Sequence, residues 1–208
     1  SLQATNDINL DLKGDTLNFT TSGRTLTLTA GNQIKTLSTG TITTTNAAVA
    51  LNATNGIVFD HAYTFNTGGG KIDFNNATTL NANLAVNTAG GAINFVGTVD
   101  GGFNLTTNSG AGTTTFSGHL GGSTPLGILS VTGPASLAAN ITTDNKAVTF
   151  NNAVTLTGHS IINIGTGTAT FGSTVNGNKN LTISAATFSL ASPFGGTTPL
   201  GNLSLTSI

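Results

Sequence analysis

The acidic side chains are the first candidates for chemistry in this sequence. Every acidic residue of the 208-residue chain is an aspartate, and the closest series consists of Asp7, Asp11 and Asp15. Carboxylates grouped on one face can perform acid and base catalysis or bind Ca²⁺. A helix would group these three, but the neighbouring residues alternate between apolar and polar as they do in a strand. We therefore interpret the series as turn or surface residues.

The histidines and the lack of cysteine offer no further catalytic or metal-binding pattern. His61, His119 and His159 are scattered, without the paired spacing of zinc ligands. The absence of cysteine excludes disulfides, thiolate ligands and a thiol nucleophile. We predict no enzyme, no catalytic residue, no metal site and no cofactor.

Two threonine series have the Thr-x-Thr pattern of an ice-binding rank, namely Thr25, Thr27, Thr29 and Thr166, Thr168, Thr170. Such a rank is regular only if the neighbouring coils also present threonine at the same outward positions. If the phenylalanines at 74, 95, 116, 150 and 171 stack in one column, their outward neighbours include Asp73 and Asn94 beside threonines. A face that mixes charge and amide groups does not favour a regular rank, so we do not expect ice binding.

Asparagine supplies one candidate for covalent modification. Asn-x-Ser/Thr acceptor patterns for N-glycosylation occur at Asn18, Asn52, Asn76, Asn104, Asn140, Asn180 and Asn202. In a chain this rich in Asn and Thr most such matches arise by chance, and several would fall inside strands.

Two nearly identical Gly- and Pro-containing stretches, residues 121–127 and 195–201, are the candidate ligand-binding loops. Proline cannot donate to a strand ladder, so Pro125, Pro134, Pro193 and Pro199 should lie at corners or in loops. The candidate loop residues are Gly121, Gly122, Ser123, Thr124, Pro125, Gly195, Gly196, Thr197, Thr198 and Pro199.

The composition favours strands and turns over helices. Charged residues make up 6% of the chain, glutamate is absent, and the Thr, Val, Ile and Phe content suits strands joined by Gly and Asn turns. A formal net charge of -1 provides no basic surface for nucleic acid. No apolar run approaches the roughly 20 residues of a membrane-spanning helix. Methionine is absent, including at position 1, so we expect a segment of a longer protein.

The positions of the phenylalanines reveal an internal repeat. Phe74, Phe95 and Phe116 recur at a constant interval, and Phe150 and Phe171 repeat the same interval, which defines a 21-residue unit. Each unit contains about three short alternating segments separated by turn residues. This pattern predicts an all-β fold, a right-handed parallel β-solenoid (β-helix) whose coils pair with those above and below. The 34-residue gap from Phe116 to Phe150 predicts a protruding loop or a coil transition.

A longer repeat contains the shorter one. Residues 150–156 restate residues 74–80, and residues 195–201 restate residues 121–127. We predict a single continuous solenoid segment over 1–208: irregular haemagglutinin-type coils over 1–56, a first long repeat over 57–133 and a second over 134–208.

Several stretches resemble the β-strand repeats of giant bacterial exoproteins of the filamentous haemagglutinin kind. The stretches are residues 133–142, residues 195–203 and the repeated Phe-Asn-Asn-Ala segments, and residues 26–34 are similar to the shorter haemagglutinin-type repeats. Members of that family are adhesins and surface fibres exported by two-partner secretion or as autotransporters. The resemblance implies an extracellular or bacterial cell-surface location.

The sequence and the resemblance together suggest three functions in order of preference. The first is a structural shaft of a fibre or adhesin, which stacks on further solenoid coils of the same chain or of neighbouring subunits. The second is an adhesive module that binds a surface glycan or protein through outward Asn, Thr and loop residues. The third is a β-helix enzyme acting on polysaccharides. We expect no nucleic-acid partner and no membrane insertion by this segment.

Overall fold

The structure is a computed structural model that describes residues 1–208 and contains strands but no helix. Its strands form three faces, which we call sheets A, B and C, and the chain passes from A to B to C in each coil. All neighbouring strands pair in parallel, and sheets A and C each contain nine strands. The fold is therefore a parallel β-solenoid of about nine coils, which confirms the predicted all-β class.

The strands are short and their bounds follow the coils in order. Sheet A contains Leu2–Ala4, Thr25–Ala30, Ala48–Ala53, Ile72–Phe74, Ile93–Phe95, Thr114–Phe116, Ala135–Leu137, Val154–Leu156 and Val175–Asn176. Sheet B contains Ile8–Leu10, Ile34–Thr36, Ile57–Phe59, Thr78–Leu80, Val99–Asp100, Ile141–Thr142, Ser160–Asn163, Leu181–Ala185 and Leu203–Ser207. Sheet C contains Thr16–Phe19, Gly40–Thr44, Tyr63–Asn66, Leu84–Asn87, Leu105–Asn108, Leu129–Thr132, Val148–Phe150, Thr168–Phe171 and Thr187–Leu190.

The core is a continuous apolar interior formed by the alternate residues of all three sheets. A single cluster of 42 buried hydrophobic residues extends from Ile8 to Ala185. Within it, the Phe74 and Phe95 rings stack with centroids 4.5 Å apart, and the Phe150 and Phe171 rings stack at 5.5 Å. Removal of this apolar surface from water, at about 25 cal/mol per Å², is the main source of stability.

The coils are longest at the start of the chain and then shorten. Leu2 pairs with Leu28, and the side-chain bonds between these first two coils join partners up to 26 apart in sequence. Leu28 pairs with Leu51 at a sequence separation of 23, and Ile72 pairs with Ile93 at a separation of 21. The predicted repeat of about 21 residues is confirmed, although bonded partners in neighbouring coils are 24 residues apart at Asn104 and Ile128 and 19 apart at Thr132 and Asn151.

The expectation that all five phenylalanines share one column is wrong. Phe74, Phe95 and Phe116 stack in sheet A and are followed there by Leu137, whereas Phe150 lies in sheet C above Val131. Between Phe74 and Phe150 the chain makes three full turns and then adds two further strands. Equivalent residues of the two long repeats therefore lie on different faces.

This offset also explains the 34-residue gap between Phe116 and Phe150. One regular coil leads from Phe116 to Leu137, and the rest of the gap leads through sheet B to sheet C. The loop at 121–127 lies within that regular coil. It lengthens the path from sheet B to sheet C, where bonded partners are 24 residues apart instead of 21, and a shorter corner follows, where partners are 19 apart. The gap is thus a change of face. The sequence tolerates the change because each sheet requires the same alternation of inward apolar and outward polar residues.

Hydroxyl groups stabilise several corners of the solenoid from the inside. Thr44 and Ser109 each donate to the carbonyl oxygen three residues later, at 2.7 Å in both cases, and Thr67 and Thr88 do the same in the intervening coils. Each bond satisfies a backbone group that the turn leaves unpaired. The four prolines lie outside the strands, as predicted.

Candidate functional site

The two candidate loops are supported by equivalent hydrogen bonds from the preceding coil. In the first, the Asp100 carboxylate accepts hydrogen bonds from the backbone N–H of Ser123 at 2.7 Å and of Thr124 at 3.3 Å. The Gly101 N–H donates to the Thr124 carbonyl oxygen at 3.1 Å. The loop is therefore tied to the coil below it through the Ser123 and Thr124 N–H groups.

The second loop repeats this arrangement with an amide in place of the carboxylate. The Asn176 side-chain oxygen accepts from the N–H groups of Thr197 at 2.9 Å and Thr198 at 3.2 Å, and the Gly177 N–H donates to the Thr198 carbonyl oxygen at 3.2 Å. Exposed side chains are available to a ligand in both loops. These exposed residues are Ser123, Thr124, Pro125, Thr197, Thr198 and Pro199.

The two loops lie at different corners. Gly121 follows Leu120, which bridges Val99 and Ile141 in the column of sheet B. Gly195 follows Phe194, which bridges Val175 of sheet A. Because one loop lies between sheets B and C and the other between sheets A and B, they offer two separate sites instead of one combined site.

The acidic series does not converge on a site. The Asp7 carboxylate accepts from the Asn32 side chain at 2.6 Å and the Gln33 N–H at 3.1 Å, and lies 3.4 Å from the Lys35 ammonium. The Gln33 hydrogen bond is the main reason that the pKa of Asp7 is lowered. Asp11 and Asp15 are exposed. Asp7 thus has a structural role in joining the first two coils.

The three histidines lie in three different coils, and two of them make side-chain contacts within the solenoid. The ring Nδ1 of His159 accepts from the Asn180 N–H at 2.9 Å, and the ring Nδ1 of His61 lies 3.1 Å from the Thr36 carbonyl oxygen. No group of three His, Cys, Asp or Glu side chains is close enough to hold a metal ion.

Most asparagines of the glycosylation patterns bond to the next coil through their side-chain oxygen. Asn104 accepts from the Ile128 N–H at 2.8 Å, Asn140 from the Ile161 N–H at 2.9 Å and Asn180 from the Asn202 N–H at 2.9 Å. The sequence did not reveal this ladder, because each asparagine finds its partner about one coil later. A glycan at these nitrogens would have to leave the oxygen bonds intact.

The outward side of sheet C is the most regular surface of the molecule, and we call it the Thr/Asn face. Its first column carries a hydroxyl in eight of nine coils, and its second column is mostly asparagine. The first column consists of Thr16, Thr41, Thr64, Ala85, Thr106, Ser130, Thr149, Thr170 and Ser189. The second consists of Asn18, Thr43, Asn66, Asn87, Asn108 and Thr132, continued by Asn151.

The threonine series singled out in the sequence occupy other places or only part of this face. Thr27 and Thr29 lie on sheet A beside Ala50 and Asn52, where no threonine rank continues. Thr168 and Thr170 lie on sheet C. Asp73 and Asn94 belong to sheet A, so the mixed charge that argued against a regular rank lies on a different face from Thr170.

A shallow depression of about 360 Å³ lies on the Thr/Asn face where Ala85 interrupts the hydroxyl column. Thr41, Thr64 and Thr106 line it on one side, and Asn83 and Asn104 line it on the other. It contains no charged residue.

The buried hydroxyl of Tyr63 lies inside the same sheet. It has no hydrogen-bond partner, and burial raises the pKa of Tyr63 to about 12. Its ring fits because Gly40 stands in the coil below, where an added Cβ would lie 2.9 Å from the Tyr63 ring.

Comparison with known proteins identifies no relative, so a functional assignment has to be based on the fold and the surface. Neither protein-family models, nor curated proteins, nor solved structures give a match to this chain. No helix in the structure has the length and apolar character needed to cross a membrane. Fold and surface therefore define the class: a stacked β-coil solenoid that presents three long faces.

Proposed function

We propose that the chain is a structural shaft segment of an extracellular or bacterial cell-surface fibre or adhesin. The observation that supports this proposal most strongly is the uninterrupted interior, in which 42 buried residues connect about nine coils. At about 4.8 Å per coil, such a stack extends about 40 Å along its axis, and its length grows with each added coil. The resemblance to filamentous haemagglutinin-like repeats agrees with this role.

The terminal coils support stacking on further coils, either of the same chain or of a neighbouring subunit. Strands Leu2–Ala4 and Leu203–Ser207 each pair with a strand on one side only. Large apolar side chains are exposed beside these edges, including Leu17, Leu203 and Leu205. Unpaired edges with apolar side chains favour association with another strand.

Imaging of the intact assembly by electron microscopy tests the shaft. We expect continuous rods with the cross-section of a single solenoid. Discrete globular particles without a rod would contradict the proposal. For the isolated chain, Leu205→Lys should reduce end-to-end association in sedimentation experiments, whereas Val96→Lys, at a similarly exposed position in the middle of the stack, should not.

The second candidate is an adhesive module, favoured by the exposed hydroxyl side chains at the two loops. A reproducible hit on a glycan array that Ser123→Ala and Thr124→Ala abolish would support it. We propose no enzyme activity, since the carboxylates are dispersed.

A further inference from the structure

We propose that the Thr/Asn face binds ice. The partner is the ordered water lattice of an ice crystal, held by ranks of hydroxyl and amide groups along sheet C. This function goes beyond that of a shaft and uses a surface that the shaft leaves free.

The polar groups of the Thr/Asn face form a two-dimensional grid. Neighbouring strands lie about 4.8 Å apart, and every second residue along a strand lies about 6.7 Å further on. Thr64 and Asn66 form one row of such a grid, and Thr106 and Asn108 form another two coils away. Polar groups that repeat at fixed distances can bind water molecules in a repeating array, as association with the surface of an ice crystal requires.

The composition of the Thr/Asn face differs from that of the other two faces. A general preference of threonine for strands would act on all three sheets alike. The outward column of sheet A nevertheless reads Thr27, Ala50, Asp73, Asn94, Thr115, Ser136, Thr155 and Asn176. The outward column of sheet B begins Asn9, Lys35, Val58, Thr79 and Asp100. Sheet C therefore differs in having an outward column without charge that carries a hydroxyl in eight of nine coils.

The side chains of the second column are held in place, while those of the first remain free to bind water. Asn87 donates to the side-chain oxygen of Asn66 at 3.0 Å, and Asn151 donates to the Thr132 hydroxyl at 3.0 Å. These bonds fix the orientation of the second column. Thr41, Thr64 and Thr106 are exposed or half-buried, and their hydroxyls have no protein partner among the side-chain bonds of this face.

The chemistry of the Thr/Asn face fits ice better than a charged partner or a sugar that stacks on aromatic rings. The two columns contain no charge, which matches a neutral crystal surface. They contain no aromatic ring on which a sugar could stack. The one defect is Ala85, which replaces a hydroxyl in the middle of the rank.

Incorporation of the full chain into slowly growing ice tests the proposal. We expect the wild-type chain to enter the ice and to inhibit recrystallisation. Thr106→Tyr, which places a bulky ring in the middle of the rank, should abolish most of this activity. The matched control is Thr115→Tyr, an outward threonine on sheet A, which should keep it. Ala85→Thr completes the rank and should increase the activity.

Each alternative outcome would overturn the proposal. Exclusion of the wild-type chain from ice would contradict it. So would an equal loss of incorporation into ice in Thr106→Tyr and Thr115→Tyr, with both variants folded. Retention on a neutral polysaccharide that Thr106→Tyr abolishes, without incorporation into ice, would assign the face to a glycan instead.

Discussion

Many single side chains depend on residues of a neighbouring coil and not on their neighbours in sequence. Asn104, Asn140 and Asn180 each accept a hydrogen bond from a residue more than twenty positions later. Tyr63 depends in the same way on Gly40. Such partners cannot be recognised from local sequence patterns, because the register between coils has to be known first.

Tyr63→Phe should stabilise the protein by about 1 kcal/mol, because it removes a buried hydroxyl that lacks a partner. It should also remove a pH dependence. The folded chain holds the Tyr63 proton up to a pKa of about 12, whereas the unfolded chain loses it near 10.0. Unfolding therefore releases a proton between these values, so wild-type stability falls as the pH rises through this range.

Denaturant unfolding of both proteins at several alkaline pH values measures this difference. The chain has one tyrosine and no tryptophan, so phenolate absorbance reports Tyr63 alone. A tyrosine that titrates at its ordinary pKa in the folded protein would show that the side chain is not buried in the core.

Gly97→Ala should destabilise the protein by about 2 kcal/mol or more, since its Cβ would lie 2.4 Å from the Ala77 backbone nitrogen of the coil below. Gly102→Ala is the matched control, because an added Cβ there meets no atom within 4 Å. Thermal unfolding of both variants measures the effect. Equal melting temperatures would mean that the coils are not packed as closely as described.

The strands and turns were predictable as elements, but their assignment to faces was not. The 21-residue period, the parallel pairing and the corner positions of the prolines follow from the alternation and the turn residues of the sequence. The position of Phe150 above Val131 does not, because the Phe-Asn-Asn-Ala segment satisfies the requirements of any of the three sheets. The spacing of the phenylalanines therefore predicted that Thr149 and Thr170 share an outward column with Asp73. For this reason the Thr/Asn face could not be recognised from the sequence.

Asp100→Ala should open the loop at 121–127, because it leaves the Ser123 and Thr124 N–H groups without their acceptor. We expect a loss of about 1 kcal/mol and faster hydrogen exchange at these two amides. Asp100→Asn should preserve the loop, since Asn176 supports the second loop in the same way. Unchanged exchange in Asp100→Ala would show that the carboxylate does not hold the loop.

The stacked coils give the molecule as a whole a continuous stack and a long, regular polar face. The parallel ladders and the continuous apolar interior make a rod of about nine coils. The change of face between the long repeats separates the two candidate loops while leaving sheet C with its hydroxyl rank uninterrupted except at Ala85. The proposed shaft depends on the stacking, and the proposed ice-binding face depends on this register.

Disulfide cross-linking tests that register most directly, because the natural chain has no cysteine. Ser130 and Thr149 are outward partners on neighbouring strands of sheet C, at a separation of about 4.8 Å that a disulfide can span. The variant Ser130→Cys/Thr149→Cys should therefore form an intramolecular disulfide on mild oxidation. Thr115→Cys/Thr149→Cys should not, because Thr115 lies on sheet A opposite Ser136. Cross-linking of the second pair but not the first would show that the phenylalanines form one column and would contradict the register.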